Sequence, residues 1–306
     1  MHAVIDLGTN TFHLLLAKVV GDNEVQEVFK LKLPVKLGQG GINNKTITPD
    51  AFERGISALH DFKKIIEEYG ITKVFAFATS AIRGADNGFE FVQVAKQETG
   101  IEINVISGDE EADLIFNGVR HTIALTEEKV MVMDIGGGSV EFIIANKNQT
   151  FWKHSFLLGA ARLLEVYHTT DPISMVEQNA LLGYLDQELR LLKEAVAIHP
   201  VETLIGSAGS FESLVEMIEA NLDKKLHFKH SCPVSIEDYN VIHDLILKST
   251  HDERMRFKGL IPYRGEMIVM SFMLIDFVLR NFDIKWLFAS DYSLKEGALF
   301  KMNEQK

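Results

Sequence analysis

The 306-residue sequence contains one cysteine, Cys232, which excludes a disulfide framework and any cysteine-rich metal site and points to a reducing compartment. Long apolar runs are also missing. The longest, residues 268–279, has 12 residues and includes Asp276, too short and too polar to span a bilayer. The segment from Met1 to Phe12 has neither a basic n-region nor an apolar h-region, so no secretory signal is expected there. Basic side chains are in deficit, 31 Lys and Arg against 43 Asp and Glu, for a formal charge of −12. An acidic chain is a poor general binder of nucleic acid or anionic membrane, and a polyanionic ligand would have to be met by locally concentrated cations. The expectation is a cytoplasmic protein with neither nucleic acid nor membrane as partner. The eleven histidines form no HExxH spacing, and neither a GxSxG elbow nor a Walker A pattern occurs. Residues 38–41 are glycine-rich but lack the strand–helix context of a dinucleotide site and read as a loop.

What remains is an ordinary globular composition, 46% hydrophobic and 24% charged, with enough apolar surface to offset the entropy of ordering. At roughly 150 residues per domain the length suggests two domains. In the first third, strand-like segments at 4–7, 12–19, 25–36, 74–79 and 102–106 alternate with helical ones at 48–69, 88–99 and 110–118. Thr48 and Pro49 open the first helix and Gly70 stops it. The pattern then restarts with strands at 130–134 and 140–145. The second half is more helical, with apolar spacing over 160–167, 174–197, 210–221, 235–249, 264–281 and 293–303, and strands at 203–205 and 286–289. Strands alternating with helices argue for an α/β sheet protein, and no low-complexity linker separates its parts.

The most informative feature is a repeat. Val4-Ile5-Asp6-Leu7-Gly8-Thr9-Asn10-Thr11 aligns with Val132-Met133-Asp134-Ile135-Gly136-Gly137-Gly138-Ser139 at a constant offset of 128 residues. Asp and Gly coincide, as does the hydroxyl pair Thr11/Ser139, and beyond them His13 matches Glu141. Each copy reads as strand, tight turn, strand. Backbone N–H groups in a glycine-rich turn can approach phosphate oxygens, and Thr9, Asn10, Thr11 and Ser139 add side-chain donors. An Asp ending the preceding strand places a carboxylate beside that phosphate, and the usual bridge between them is Mg²⁺. In the second copy a four-residue turn sets Asp134 opposite Glu141. Like charges so placed destabilise a sheet by roughly 0.2–1 kcal/mol, a sign that a divalent cation would reverse. Asp6, Asp134 and Glu141 are therefore the candidate metal residues. The candidate phosphate binders in the two turns are Gly8, Thr9, Asn10, Thr11, Gly136, Gly137, Gly138 and Ser139.

Two further segments are weaker by themselves. Residues 206–210 lie between a strand and a helix, where free N–H groups bind anions, making Ser207, Gly209 and Ser210 candidates; ordinary capping by Ser210 is the alternative. Arg83, at the end of another strand, is a candidate phosphate fork. Glu110, Glu111 and Asp113 open a helix after Ser107-Gly108-Asp109. Acids there are normal dipole partners, the preferred reading for Glu110 and Asp113, but one aimed into a phosphate cleft could deprotonate water. Residue type and spacing alone do not choose between Glu110 and Glu111. Among the histidines only His13, facing Asp6 across the first hairpin, invites attention.

The segments 4–19, 77–83, 106–119, 132–145, 204–214 and 290–299 together resemble the ordered motifs of the exopolyphosphatase / guanosine pentaphosphate phosphohydrolase (Ppx/GppA) family, over essentially the whole chain. The string Ser107-Gly108-Asp109-Glu110-Glu111-Ala112 with Asp134–Glu141 is specific; actins, sugar kinases and chaperone ATPases share the hairpins but not the acidic helix start. The resemblance implies two ribonuclease-H-like domains of the actin-like ATPase superfamily with an interdomain cleft. The first would span residues 1–120, with helix 293–306 packing back on it, and the second 121–292. It implies Mg²⁺-dependent hydrolysis of the terminal phosphoanhydride of polyphosphate or of the 5′ γ-phosphate of guanosine pentaphosphate. Glu111 would be the catalytic base, Asp134 and Glu141 would support metal and water, and Arg83 would bind phosphate. At this length the chain resembles the short, two-domain members. It departs from the family at Asp113, at Lys32 and Lys36, at Ser293-Leu294-Lys295 in place of Gly-Leu-Arg, and at Ser210 in place of Thr, each change weakening contact with a polyanion.

The leading expectation is thus an exophosphatase, with Arg162, Arg254, Arg256, Lys258 and Arg264 as candidates for a track guiding longer polyphosphate. An ATP-dependent kinase or ATPase of the same fold, with a nucleotide pocket near residues 206–210, and a catalytically silent sensor of guanosine pentaphosphate or polyphosphate are the alternatives. A homodimer is expected from common symmetry alone.

Overall fold

The structure is a computed structural model that describes residues 1–21 and 24–304. Strands β1 (His2–Leu7), β2 (Phe12–Val20), β3 (Glu24–Leu33), β4 (Val74–Ala78) and β5 (Ile103–Val105) form one sheet in the order β3-β2-β1-β4-β5. The second sheet has β6 (Val130–Ile135), β7 (Val140–Ala145), β8 (Thr150–Phe156), β9 (Thr203–Ser207), β10 (Ser231–Val234) and β11 (Trp286–Ser290) in the order β10-β11-β9-β6-β7-β8. Each sheet starts with an antiparallel meander and continues with parallel strands on the far side of the first. Numbered from its own first strand, the first reads 3-2-1-4-5, the ribonuclease-H-like order, and the second reads 3-2-1-4-6-5, the same order once the added edge strand β10 is set aside. The second adds β10 at its edge, and Pro233 sits in that edge strand, where a missing N–H is tolerated. The architecture is two-domain α/β, as the repeat implies.

The helices are α1 (Pro49–Glu68), α2 (Ser80–Arg83), α3 (Gly88–Thr99), α4 (Gly108–Val119), α5 (Ala160–Tyr167), α6 (Met175–Glu188), α7 (Arg190–Ile198), α8 (Gly209–Asn221), α9 (Ile236–Lys248), α10 (His251–Arg254), α11 (Ile268–Asn281) and α12 (Leu294–Glu304). Residues 305 and 306 of the expected last segment lie outside the described residues. Helix α1 begins at the Thr48–Pro49 step and ends before Gly70, whose φ of 63° needs a residue without a Cβ. The helix expected over 174–197 is two helices meeting at Leu189. No glycine or proline marks the break. The bend keeps Leu181, Leu185, Leu189 and Leu192 all buried in one core, so packing overrides local propensity. Strands β8 and β10 were not expected.

Five layers result. One face of the first sheet (Ile5, Leu7, Phe12, Leu14) packs on α1 and α3, and one face of the second packs on the helices of the second half. Between the sheets lies a third core. It joins Val4, Leu15 and Ala17 to Val130, Val132, Ile143 and Ala145 through Ala112, Ile115 and Val119 of α4 and Leu294, Ala298 and Leu299 of α12. Helix α12 lies against β1 and β2, and α4 against β6, β7 and β8.

Alternation along the strands then dictates where the polar residues go. Side chains two apart share a face. The period that sends Val4, Leu15, Val132 and Ile143 between the sheets therefore sends Asp6, His13, Asp134 and Glu141 there too. One end of the inter-sheet space is filled by α4 and α12; the other end holds these four residues.

Helices α4 and α12 touch backbone to backbone. Asn117 Nδ2 donates to Gly297 O at 2.8 Å, and a Cβ on Gly297 would overlap the Leu114 carbonyl oxygen. Gly297→Ala should therefore destabilise the fold by about 1–3 kcal/mol, read as a lowered urea midpoint at unchanged slope. A midpoint equal to that of the wild type would show that the two helices can part freely.

Candidate active site

The polar and turn residues of the repeat, with His13 and Glu141 just beyond it, line one cleft between the sheets, together with Thr79, Ser80, Glu111, Arg264 and Lys295. Both turns close with the same bond, Gly8 N to Thr11 O at 3.2 Å and Gly136 N to Ser139 O at 3.0 Å. They face each other across the cleft: a Cβ on Gly138 would lie 2.5 Å from Thr9 Oγ1 and 2.6 Å from Ser80 Oγ. The Thr9 and Ser80 hydroxyls and His13 Nδ1 are buried without a hydrogen-bond partner. Such groups on a cleft wall suit a ligand rich in oxygen acceptors.

Two cross-strand rows run along the cleft. In the first sheet Lys32, His13, Asp6 and Phe77 stand side by side on β3, β2, β1 and β4. In the second, Ser207, Asp134, Glu141 and Ser155 do so on β9, β6, β7 and β8. Asp134 does face Glu141, and Asp6 faces His13, as the turn lengths require. Ser207 Oγ donates to Asp134 Oδ2 at 2.9 Å, and Ser155 Oγ to Glu141 Oε1 at 2.6 Å. Ser207 thus supports a carboxylate, a different use from the phosphate contact expected of it.

Beyond Glu141, the first turn of α4 resolves the choice that spacing left open. Ser107 and Glu110 form a reciprocal capping box, which commits Glu110 to the helix end. Asp113 pairs with Lys153 at 2.5 Å. Glu111 is 7% exposed, lines the cleft and accepts from Arg83 Nη1 at 2.9 Å. The same Arg83 nitrogen donates to Ile106 O at 2.9 Å, so Arg83 holds Glu111 and does not itself line the cleft.

Burial pushes the carboxyls of Asp6 and Asp134 up to about 6 and that of Glu141 to about 7. Burial and then Glu141 push Glu111 well above its ordinary range, against the pull of Arg83. Burial, then Lys295 and Lys32, keep His13 far below its usual range, hence neutral. Burial disfavours the Lys295 ammonium, but Glu296, Asp6, Glu212 and Asp134 outweigh it and raise that group. The cleft is therefore a poor environment for its own carboxylate charges.

A sequence profile of the Ppx/GppA phosphatase family matches residues 16–306. The chain belongs to the Ppx/GppA phosphatase family. The crystal structure of an exopolyphosphatase from Cytophaga hutchinsonii superimposes with a TM-score of 0.95 at 37% identity, covering 99% of this chain and 98% of that one. A family member from Aquifex aeolicus gives 0.81 at 26% identity, covering 99% and 97%. A bifunctional 3-dehydroquinate synthase/phosphatase of Fusobacterium nucleatum is 31% identical over 317 aligned residues, 100% of this chain and 47% of the relative, so the chain spans about half that relative's length. The family is one of phosphatases.

Family membership leaves the proposed polyphosphate track to be judged on geometry, and the track needs correcting. Arg254 is 2% exposed and donates to Gly265 O at 3.0 Å, Asp171 Oδ1 at 3.0 Å and Ser249 O; it is an internal strut, closed to any ligand. Arg162 reaches outward across the turn, donating to Gly138 O at 3.3 Å and to Ile42 O at 2.9 Å in the other domain; it fastens the domains together. Arg256 and Lys258 border a separate surface pocket with Asn221 and Glu253; Arg264 alone of the five lines the cleft, with its guanidinium on Gly209 and Ser213. Ser210 does not cap α8, whose N-cap is Ala208 at φ 66°; its hydroxyl donates to Ser271 Oγ at 3.0 Å. The residue that sequence reading passed over is Ser80. Its only signal was a place two positions beyond a buried strand, near Arg83.

Proposed function

We propose that the protein is an exophosphatase that removes the terminal phosphoryl group of inorganic polyphosphate, or the 5′ γ-phosphate of guanosine pentaphosphate, by direct attack of water. The observation that carries this reading is Glu111: a buried carboxylate on the cleft wall, held by Arg83 and facing the two glycine turns. In this reading the turns at 8–11 and 136–139 bind the terminal phosphoryl oxygens through backbone N–H groups, with the Thr9 and Ser80 hydroxyls as further donors. Glu111 orients the water and takes its proton, and the shortened chain leaves along the cleft. The domains that close on it are residues 1–120 with the last helix, and 121–292.

Among the described residues no three His, Cys, Asp or Glu side chains are grouped closely enough to hold a metal ion by themselves. That fits Mg²⁺, which binds through one or two carboxylates, waters and substrate phosphates. Asp134 and Glu141, which face each other across β6 and β7, would hold it, with Asp6 opposite. When bound, Mg²⁺ would neutralise phosphoryl charge. No observation favours the kinase alternative: the Phe211 ring lies against Gly206 and the Arg264 guanidinium against Gly209, so side chains fill the space under the third loop. Among the described residues no helix is long and apolar enough to cross a membrane; the cytoplasm is the proposed site of action.

The test is phosphate release from tripolyphosphate, long-chain polyphosphate and guanosine pentaphosphate, with Mg²⁺ and with a chelator. Release from at least one substrate that falls to background on chelation is expected. Tight binding without release would turn the reading into the silent sensor.

A further inference from the structure

The two cross-strand rows give the cleft a direction. At one end stand Glu111, Glu141 and Ser155, with Arg83 behind Glu111. At the other, Lys32 of the first sheet meets Arg264 and Glu212 of the second half. Glu212, in the first turn of α8, places Oε2 at 2.8 Å from Lys32 Nζ and 3.1 Å from Arg264 Nη2. Two cations from opposite domains thus converge on one carboxylate oxygen. The nearest cations are engaged: Lys32 and Arg264 to Glu212, Arg264 also to Ser213 Oγ at 2.8 Å, and Lys36 nearby to Glu266 at 2.9 Å.

Resting on the exophosphatase reading, the chemistry fixes what this far end is for. In-line displacement puts the leaving chain on the side of the phosphorus opposite the water. Water held by Glu111 therefore sends the rest of an oligophosphate toward Lys32 and Arg264. Those are the cations that would grip the next phosphates, and a protein carboxylate already sits between them. We propose that Glu212 is a specificity-determining residue, an internal anion in the subsite beyond the reacting phosphates, and that it confines the enzyme to short oligophosphates. A longer chain would have to displace a carboxylate paired across both domains or pass close to it, and like charges in that position are strongly unfavourable. Burial would raise the Glu212 carboxyl, but Lys32 and Arg264 hold it at about 2, so it stays charged throughout the working range.

The test is equilibrium binding with Mg²⁺, using Glu111→Gln protein so that the ligand survives. Tripolyphosphate and long-chain polyphosphate are compared at equal concentrations of chain ends. The long chain should bind this protein more weakly than tripolyphosphate. Adding Glu212→Gln should tighten the long chain relative to tripolyphosphate by about tenfold or more and make its binding more salt-dependent. Long chains that bind the Glu111→Gln protein as tightly as tripolyphosphate, or more tightly, would overturn the proposal, whether or not the double variant folds. So would a folded double variant with no gain for long chains. Phosphate release by the wild-type protein judges the hydrolase reading separately. Binding that obeys the length rule without release overturns that reading and keeps the role of Glu212; release by a protein whose binding ignores the rule does the reverse.

Discussion

Glu111→Gln should lower the turnover number for phosphate release by ~10²–10⁴-fold, the range a positioned general base supplies. The substitution keeps the shape of the side chain and an oxygen to accept from Arg83, so the protein should fold and bind oligophosphate. The base reading also makes a claim about pH that a structural role would not. Glu111 must be ionised to accept a proton, and burial with Glu141 alongside raises its proton affinity. Its titration therefore sets the acid limb of the rate profile. Arg83 opposes that shift from 2.9 Å. Arg83→Gln should then move the acid limb to higher pH, in addition to any loss of rate. Steady-state rates across the pH range for the three proteins check both points. A Glu111→Gln enzyme as fast as the wild type would transfer the role to another carboxylate, with Glu141 next in the row.

The repeat made most of this site legible before any coordinates. A turn of fixed length between two strands dictates register, so Asp134 opposite Glu141 and Asp6 opposite His13 follow from counting residues. Alternation does the rest, since Val4 and Val132 cannot be buried between the sheets without carrying Asp6 and Asp134 to the same face. What counting could not give was anything set by contacts distant in sequence. Glu110 and Glu111 are adjacent acids; the capping box with Ser107 is a local pattern that reserves Glu110, but the approach of Arg83 to Glu111 spans 28 residues and leaves no local mark. Arg162 and Arg254 had the right charge for a polyanion track, but whether a guanidinium faces a ligand or a buried carbonyl depends on how loops close around it. The break at Leu189 is of the same kind, a bend imposed by a core with no local mark in the sequence. The departures from the family pattern turn inward. Ser210 binds Ser271, and Lys295 Nζ donates to Ser293 Oγ at 3.1 Å.

Without divalent ions the protein should lose stability as pH rises from about 4 to about 7, and Mg²⁺ should restore it at the upper end. Asp6 and Asp134 titrate at about 6 in the folded state, and Glu141 at about 7, because burial disfavours their charge. All three lie above their ordinary values, so the folded chain holds these protons more tightly than the unfolded chain. Below the ordinary carboxylate range both states are protonated and the difference vanishes. Above the folded-state values the folded protein alone must keep the charges in a poor environment. Each carboxyl raised this far costs on the order of 3 kcal/mol at neutral pH, and the sum is smaller where groups share protons. A cation bound between the carboxylates favours their charged forms, so Mg²⁺ should raise the melting temperature at pH 7 and do little at pH 5. Asp134→Asn keeps an oxygen for Ser207 and removes one of the charges. It should melt higher than the wild type at pH 7 in chelator, by ~2–4 °C per kcal/mol recovered, and gain less from Mg²⁺. Thermal melts at the two pH values, with chelator and with Mg²⁺, distinguish this from the opposite case. Curves that ignored both pH and Mg²⁺ would mean that Lys295 already neutralises the acids, and the cleft would then have no electrostatic need for a metal.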